Sequence, residues 1–129
     1  MASAIEEVPV GAIVVSAGEV ISRACNRNRT DNDPCAHAEI LALRQAARRI
    51  GNYRLTDTTL FVTLEPCFMC AGAAKWVRIG RVVYGAKDKD QGFSNWEKTI
   101  LHPKTIVEQG PLVEECSVIL HEFFSLRRK

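Results

Sequence analysis

The run TLFVTL, residues 59–64, constrains the fold most, because its β-branched and apolar side chains fall on both faces of an extended chain. A strand of this kind is typical of the interior of a sheet that is covered on both sides. Pro66 follows almost at once and starts a helical pattern that reaches about Trp76. The sequence therefore predicts a buried sheet with helices packed against it.

The rest of the chain continues this alternation of strands and helices. VGAIVV and VISRAC, joined by a glycine-containing turn, predict a hairpin. We expect a helix that opens at Asp33-Pro34 and stops at Gly51-Asn52, and another across residues 112–126. Further strands are predicted at residues 81–86 and, more weakly, at 105–108. Together these segments predict one α/β domain, residues 1–129, with the sheet at its centre.

Composition excludes several classes of protein. With 47% hydrophobic and 25% charged residues, the chain is typical of globular proteins rather than disordered or fibrous ones. It has no apolar run of membrane-spanning length and no pattern of a secretory signal, so we expect a cytoplasmic protein without a membrane partner. An odd number of cysteines, five, argues against a disulfide framework. A net charge of +2 is too small to indicate nucleic-acid binding.

The residues that are suited to catalysis or metal binding lie at two predicted helix starts. His37 and Glu39 lie in the opening turn of the first, and Cys67 and Cys70 are three residues apart in the second. If the two starts converge, one imidazole and two thiolates provide three zinc ligands and leave a fourth position for water. Zinc lowers the pKa of such a water to about 7. Glu39, beside the metal but not bound to it, is suited to move protons.

Each motif has a plainer interpretation when taken alone. A single C-x-x-C also fits a redox pair or half of a four-cysteine structural zinc site. His37 alone is more often an interior histidine, and Glu39 alone is ordinarily on a helix surface. Their combination, H-x-E with P-C-x-x-C, favours the zinc site of nucleobase deaminases. We expect the other cysteines to be packing residues, with Cys35 the nearest to the site.

Most of the chain resembles the bacterial tRNA adenosine deaminase family, within the cytidine deaminase-like superfamily. The resemblance is carried by VPVGA (8–12), CNR (25–27), DPCAHAEILALRQA (33–46), NYRL (52–55), TLFVTLEPCFMCAGA (59–73), RIGRVVYGAKD (78–88), EEC (114–116) and HEFFSLRRK (121–129). It implies a three-layer sandwich with a central mixed β-sheet flanked by helices. It also implies a homodimer that converts the wobble adenosine of a tRNA anticodon stem-loop to inosine.

The resemblance also implies roles for single residues. His37, Cys67 and Cys70 would ligate one zinc ion per subunit, and Glu39 would be the proton shuttle. Asn26 would hydrogen-bond the target base. The backbone near Ala36 would help to fix the orientation of the base. Water activated at the metal would attack C6 of the base, while Glu39 protonates the ring nitrogen and later the departing amine.

An RNA substrate also requires a surface that follows phosphates. The chain ends in Arg127, Arg128 and Lys129, and Phe123 or Phe124 could add a stacking ring. The alternative is that both phenylalanines are core residues and that the basic tail is frayed.

The sequence departs from the family pattern in three places. Only seven residues precede Val8, where the family normally has an amphipathic helix. The segment 87–104 is rebuilt and several residues shorter, so Phe93 and Trp96 could reshape the substrate pocket. Lys75, Trp76 and Val77 replace smaller or polar residues, and we expect Trp76 to be an ordinary packing residue.

These departures keep two other functions open. A deaminase of a free base, nucleoside or related small heterocycle, such as guanine or cytosine, is the first. The second is a non-catalytic RNA-binding subunit with structural zinc, against which the retention of Glu39 argues.

Overall fold

The computed structural model describes residues 10–95 and 100–109. Its regular elements, in chain order, are β1 Gly11–Ser16, β2 Glu19–Cys25, α1 Ala38–Ile50, β3 Thr58–Leu64, α2 Phe68–Trp76, β4 Arg81–Ala86 and β5 Ile106–Gln109. All five predicted strands and both helices that carry site residues are therefore confirmed in type. The helix predicted across 112–126 lies outside the described residues, and the single domain over 1–129 stays a prediction.

The five strands form one mixed sheet in the order β2-β1-β3-β4-β5. Strand β1 runs antiparallel to both β2 and β3, whereas β3, β4 and β5 run parallel to one another. The crossover from β3 to β4 contains α2. Because parallel strands end at the same edge of a sheet, the segments that follow β3 and β4 meet there.

The two helices pack on the same face of the sheet. Leu43 of α1 and Ala71 of α2 belong to one core cluster with Leu60, Val62 and Val82 of the central strands. The opposite face carries a second cluster centred on Ile13, Phe61 and Val83. The described residues thus form two of the three expected layers. No helix among them is long and apolar enough to cross a membrane.

Helix α1 begins four residues later than the Asp33-Pro34 start that the sequence predicts. The Asp33 carboxylate accepts a hydrogen bond from the Cys35 N–H at 2.9 Å, which closes a local turn instead of capping a helix. His37 then occupies the N-cap position in an extended conformation, with φ −72° and ψ 151°. At the other end the prediction is confirmed, since Gly51 adopts a left-handed φ of 78° and closes the helix.

Helix α2 also starts later than predicted, at Phe68 rather than at Pro66. The Pro66 carbonyl accepts a hydrogen bond from the Phe93 N–H at 2.9 Å, and Cys67 forms a β-bridge with Gly92. These contacts hold residues 66 and 67 extended against the neighbouring segment. Cys67 is consequently the N-cap residue of α2, as His37 is of α1.

Candidate active site

The N-cap residues of the two helices meet at the edge of the sheet. The His37 Nδ1 lies 3.6 Å from the Cys67 Sγ and 3.4 Å from the Cys70 Sγ. All three donor atoms lie within 4.8 Å of one another. The predicted convergence is confirmed, although His37 and Cys67 are 30 residues apart in the sequence.

These distances match those of a tetrahedral zinc site. With a Zn–S bond of about 2.3 Å, a Zn–N bond of about 2.0 Å and a tetrahedral angle, sulfur and nitrogen ligands lie about 3.5 Å apart. The two observed separations fall close to this value, and Nδ1 is the imidazole nitrogen that faces the sulfurs. One imidazole and two thiolates form a donor set suited to zinc with one position open, so the residues fit the ion.

Without the metal, Cys70 holds its proton more tightly than Cys67 does. A hydrogen bond from the Cys70 thiol lowers the pKa of Cys67 to about 4. The same bond, together with burial, raises the pKa of Cys70. The hydrogen bond with Cys67 also raises the pKa of His37. Zinc requires both sulfurs as thiolates, so its binding must release the proton that Cys70 holds.

Glu39 is buried beside this cluster, with 4% of its surface exposed. It lies in the first turn of α1, two residues after His37. Burial raises its pKa from 4.5 to about 7. A carboxyl group with a pKa near neutrality can both accept and donate a proton at that pH, which suits a proton shuttle.

Asn26 supports the start of α1. Its side-chain oxygen accepts a hydrogen bond from the Ala38 N–H at 2.7 Å, although the two residues are 12 positions apart. This bond satisfies one of the unpaired N–H groups at the helix start, which the side chain of His37 does not cap. Asn26 also lines the cavity over the cluster.

A cavity of about 370 Å³ opens over the cluster. Its wall contains His37, Glu39 and Cys67 on one side. The remaining lining residues come from five segments and are Val10, Asn26, Asn28, Pro34, Leu64, Glu65, Phe68, Met69, Asp88 and Gln91. A molecule in this cavity would reach His37, Cys67 and the buried carboxyl group of Glu39 together.

Comparison with known proteins agrees with this geometry. The family described as "Cytidine and deoxycytidylate deaminase zinc-binding region" matches residues 1–86. A tRNA-specific adenosine deaminase of Haemophilus influenzae is 46% identical over 99% of this chain and 78% of its own length. The chain belongs to the tRNA-specific adenosine deaminase family.

Two solved structures extend the comparison to the fold. One comes from work on A-to-I editing by tRNA:A34 deaminases at the wobble position of transfer RNA. It aligns with a TM-score of 0.77 and 42% identity over 84% of this chain and 88% of that one. The other, guanine deaminase from Bacillus subtilis, aligns with a TM-score of 0.61 and 43% identity over 63% of this chain and 52% of that one. The predicted cytidine deaminase-like fold is confirmed.

In a deaminase of this family, bound zinc would supply a Lewis acid that makes water nucleophilic near neutral pH. His37, Cys67 and Cys70 would hold the ion. Glu39, whose pKa burial keeps near neutrality, is able to take up and release a proton there. Asn26 lines the same cavity.

Other expected substrate contacts do not lie in the cavity wall. Phe93 is 7% exposed and packs edge-on against Tyr84, with ring centroids 6.1 Å apart, so a direct contact would require it to leave the core. Ala36 is fully buried, and its carbonyl accepts the Arg27 N–H at 2.9 Å. Both roles stay predictions. Phe123, Arg127 and Arg128 lie outside the described residues, as do Phe124, Lys129 and Trp96.

Two further expectations are wrong. Cys35 is exposed rather than packed. Trp76 is 75% exposed and so is not an ordinary packing residue of this chain. Glu65, Asp88 and Gln91 also line the cavity, although they belong to none of the motifs that predict the site. The signal for Glu65 was present, since a carboxylate directly after a buried strand has to be satisfied by polar partners.

Proposed function

We propose that this protein deaminates the wobble adenosine of a tRNA anticodon stem-loop to inosine. Adenosine and water would be converted to inosine and ammonia at C6 of the base. The metal ligands and Glu39 support the deamination itself, because they place three donor atoms and a near-neutral carboxyl group at one cavity. The named relatives support the tRNA substrate.

A basic surface at the C-terminal end of α2 supports RNA as the substrate. Two adjoining clefts share Arg78 and His102. The first also contains Arg54, Lys75 and Trp76, and the second contains Lys104. Among the described residues, neither cleft is lined by an aspartate or glutamate. Clustered cations that face no carboxylate suit a phosphate backbone.

A free base would not need this surface. Helix α2 has nine residues and is therefore about 14 Å long, so the basic surface at its C-terminal end lies well beyond the reach of a base held at Cys67. A stem-loop can contact both places at once. The surface thus favours a large, negatively charged substrate over a small neutral one.

The second candidate is deamination of a free base such as guanine. It is favoured by the similarity to the Bacillus subtilis guanine deaminase, which nevertheless covers only 63% of this chain. The rebuilt wall segment, which contributes Asp88 and Gln91 to the cavity, could accommodate a different base.

A direct assay separates the two candidates. Zinc-loaded protein would be incubated with an anticodon stem-loop carrying adenosine at the wobble position and, separately, with guanine, cytosine and adenosine. We expect inosine in the stem-loop and no ammonia from the free compounds. Turnover of guanine with an untouched stem-loop would contradict the proposal. A double variant, Arg54→Ala with Arg78→Ala, should weaken stem-loop binding and flatten its salt dependence by roughly 0.7 to 0.9 per lost phosphate contact.

We further propose that the protein is a homodimer that uses the exposed face of α2. Phe68 and Trp76 are 51% and 75% exposed, and they lie eight residues apart on the same side of the helix. Gly72 lies between them, and a Cβ there would meet nothing within 4 Å, so a second helix could approach closely. A cytoplasmic location stays a prediction.

Sedimentation of the zinc-loaded protein tests the dimer. Trp76→Glu should shift a dimer toward the monomer, because it places a charge in an apolar contact. Tyr53→Glu is the matched control, since Tyr53 is also an exposed aromatic residue, at 62%, but lies outside α2. A wild-type protein that sediments as a monomer would contradict this part of the proposal.

A further inference from the structure

Glu65 is a buried carboxylate next to the metal ligands, but it is not one of them. Only 2% of its surface is exposed, and it lies two residues before Cys67. The candidate metal group consists of His37, Cys67 and Cys70. Among the described residues, no ion pair joins Glu65 to an arginine or lysine. Burying a carboxylate costs free energy unless polar groups satisfy it, so Glu65 requires specific hydrogen-bond partners.

Those partners are backbone N–H groups of the segment that follows β4. The Asp88 N–H donates to Glu65 Oε1 at 3.1 Å, and the Ser94 N–H donates to Glu65 Oε2 at 2.8 Å. Each carboxylate oxygen therefore holds a different end of the segment 88–94. A carboxylate that accepts two such bonds is well satisfied without a cation.

The same segment passes directly against the carboxylate at Gly92. A Cβ on Gly92 would lie 2.3 Å from the Glu65 Oε1 and 2.6 Å from the Asp88 carbonyl oxygen. No residue other than glycine fits at this distance without displacing the segment. The backbone at Gly92 therefore packs directly against the Glu65 carboxylate.

Gly92 also contacts Cys67, one of the proposed metal ligands. Gly92 forms the β-bridge with Cys67, and the neighbouring Phe93 N–H donates to the Pro66 carbonyl at 2.9 Å. Within the segment, the Asp88 carboxylate accepts the N–H groups of Asp90 and Gln91, both at 3.0 Å. This local turn presents Asp88 and Gln91 to the cavity.

We propose that Glu65 is a positioning residue that clamps the segment 88–94 against Cys67. Through this clamp it sets the position of the Cys67 sulfur and the shape of the cavity wall formed by Asp88 and Gln91. The inference rests on the metal-binding role of Cys67, which is part of the proposed function, but not on which base is deaminated. Residues that orient metal ligands without binding the metal typically change its affinity by about 10- to 100-fold when they are replaced.

Two variants act on the clamp from opposite sides. Glu65→Gln keeps the size of the side chain but replaces one acceptor oxygen with an amide that cannot accept an N–H bond. Gly92→Ala leaves Glu65 unchanged and forces the segment away from it. Glu19→Gln is the matched control, because its carboxylate is 73% exposed on β2, far along the chain from the site.

The readouts are zinc affinity, by competition with a chelator on the loaded protein, and the thiolate-to-metal charge-transfer band of the cobalt-substituted protein. We expect both clamp variants to bind zinc about 10- to 100-fold more weakly, with an altered cobalt band and native circular dichroism. The control should match the wild type in all three measurements. Neither readout involves a nucleic acid, so a failure here is distinct from a failure of the tRNA assay.

Two results would overturn the proposal. Zinc affinity and a cobalt band identical to the wild type in both variants would show that the clamp does not reach Cys67. Loss of native circular dichroism in zinc-loaded Glu65→Gln would show that Glu65 maintains the fold rather than positions the site.

Discussion

The side-chain oxygen of Asn26 accepts the Ala38 N–H at 2.7 Å and so fixes the first turn of the helix that carries His37 and Glu39. One residue thereby joins the end of β2 to the start of α1 and also lines the cavity. Its oxygen supports the fold, and we propose that its amide nitrogen holds the substrate base. Two substitutions test these roles.

Asn26→Asp keeps an oxygen that can accept the Ala38 N–H, but it should lower the free energy of unfolding, because it places a charge on a side chain that is only 7% exposed. It should raise the KM roughly tenfold, since the ionised side chain has no N–H to donate to a base. Asn26→Ala should show the same KM effect and also lose about 1 kcal/mol of stability, as when a helix cap is removed. Thermal unfolding and steady-state kinetics on both variants check this, and an Asn26→Asp enzyme with wild-type KM would contradict the base contact.

Glu39→Gln should reduce turnover by at least about 100-fold, the usual contribution of a proton-transfer group. Zinc should remain bound, since Glu39 is not one of the clustered ligands. Turnover and metal content are measured on the same preparation, with Glu19→Gln as the exposed control. Undiminished activity in Glu39→Gln would rule Glu39 out as the proton shuttle.

The raised pKa of Glu39 predicts a pH effect on the metal-free protein. Burial raises this pKa from 4.5 to about 7, so the folded state holds the proton more tightly than the unfolded state. The stability that this provides is complete below pH 4.5 and is lost as the pH rises toward 7. Relative to metal-free Glu39→Gln, the wild type should lose roughly 3 kcal/mol across that interval. Urea unfolding of both proteins at pH 5 and pH 8 measures the difference, and parallel curves would refute it.

Cys67→Ala should yield protein that is poor in zinc and less soluble. Cys35→Ala is the control, because Cys35 is an exposed cysteine outside the metal cluster and should leave the zinc content unchanged. Where free zinc is about 1,000 times its dissociation constant, the wild type should gain about 4 kcal/mol of stability that Cys67→Ala lacks. Elemental analysis and thermal unfolding test this, and a full zinc complement in Cys67→Ala would rule Cys67 out as a ligand.

Much of this site could be predicted from the sequence because its signals are local. Each signal spans only a few residues: the apolar side chains on both faces of β3, the spacing of Cys67 and Cys70, and the pairing of His37 with Glu39. The helix starts lie later than predicted partly because contacts from elsewhere in the chain fix them. Asn26 takes over the capping of α1, and Gly92 holds Cys67 extended.

Local sequence patterns do not predict the positions of residues that depend on tertiary packing. Phe93 packs edge-on against Tyr84 in the core, a partner that no local pattern indicates, and its expected contact with the substrate stays a prediction. Trp76 was expected to be buried but ends its helix at the surface. The role of Glu65 has no local signature because its partners, the N–H groups of Asp88 and Ser94, lie 23 and 29 residues further along.

The separation of His37 and Cys67 by 30 residues has a consequence for how the chain tolerates change. A bound ion would act as a cross-link and remove loop-closure entropy of about 3 kcal/mol from the unfolded ensemble. That quantity grows only with the logarithm of loop length, so doubling the intervening chain would alter it by about 0.6 kcal/mol. Insertions at the exposed turn after Gly51 should therefore leave metal-linked stability almost intact, whereas a shift of one residue at either helix start would remove a ligand from the cluster.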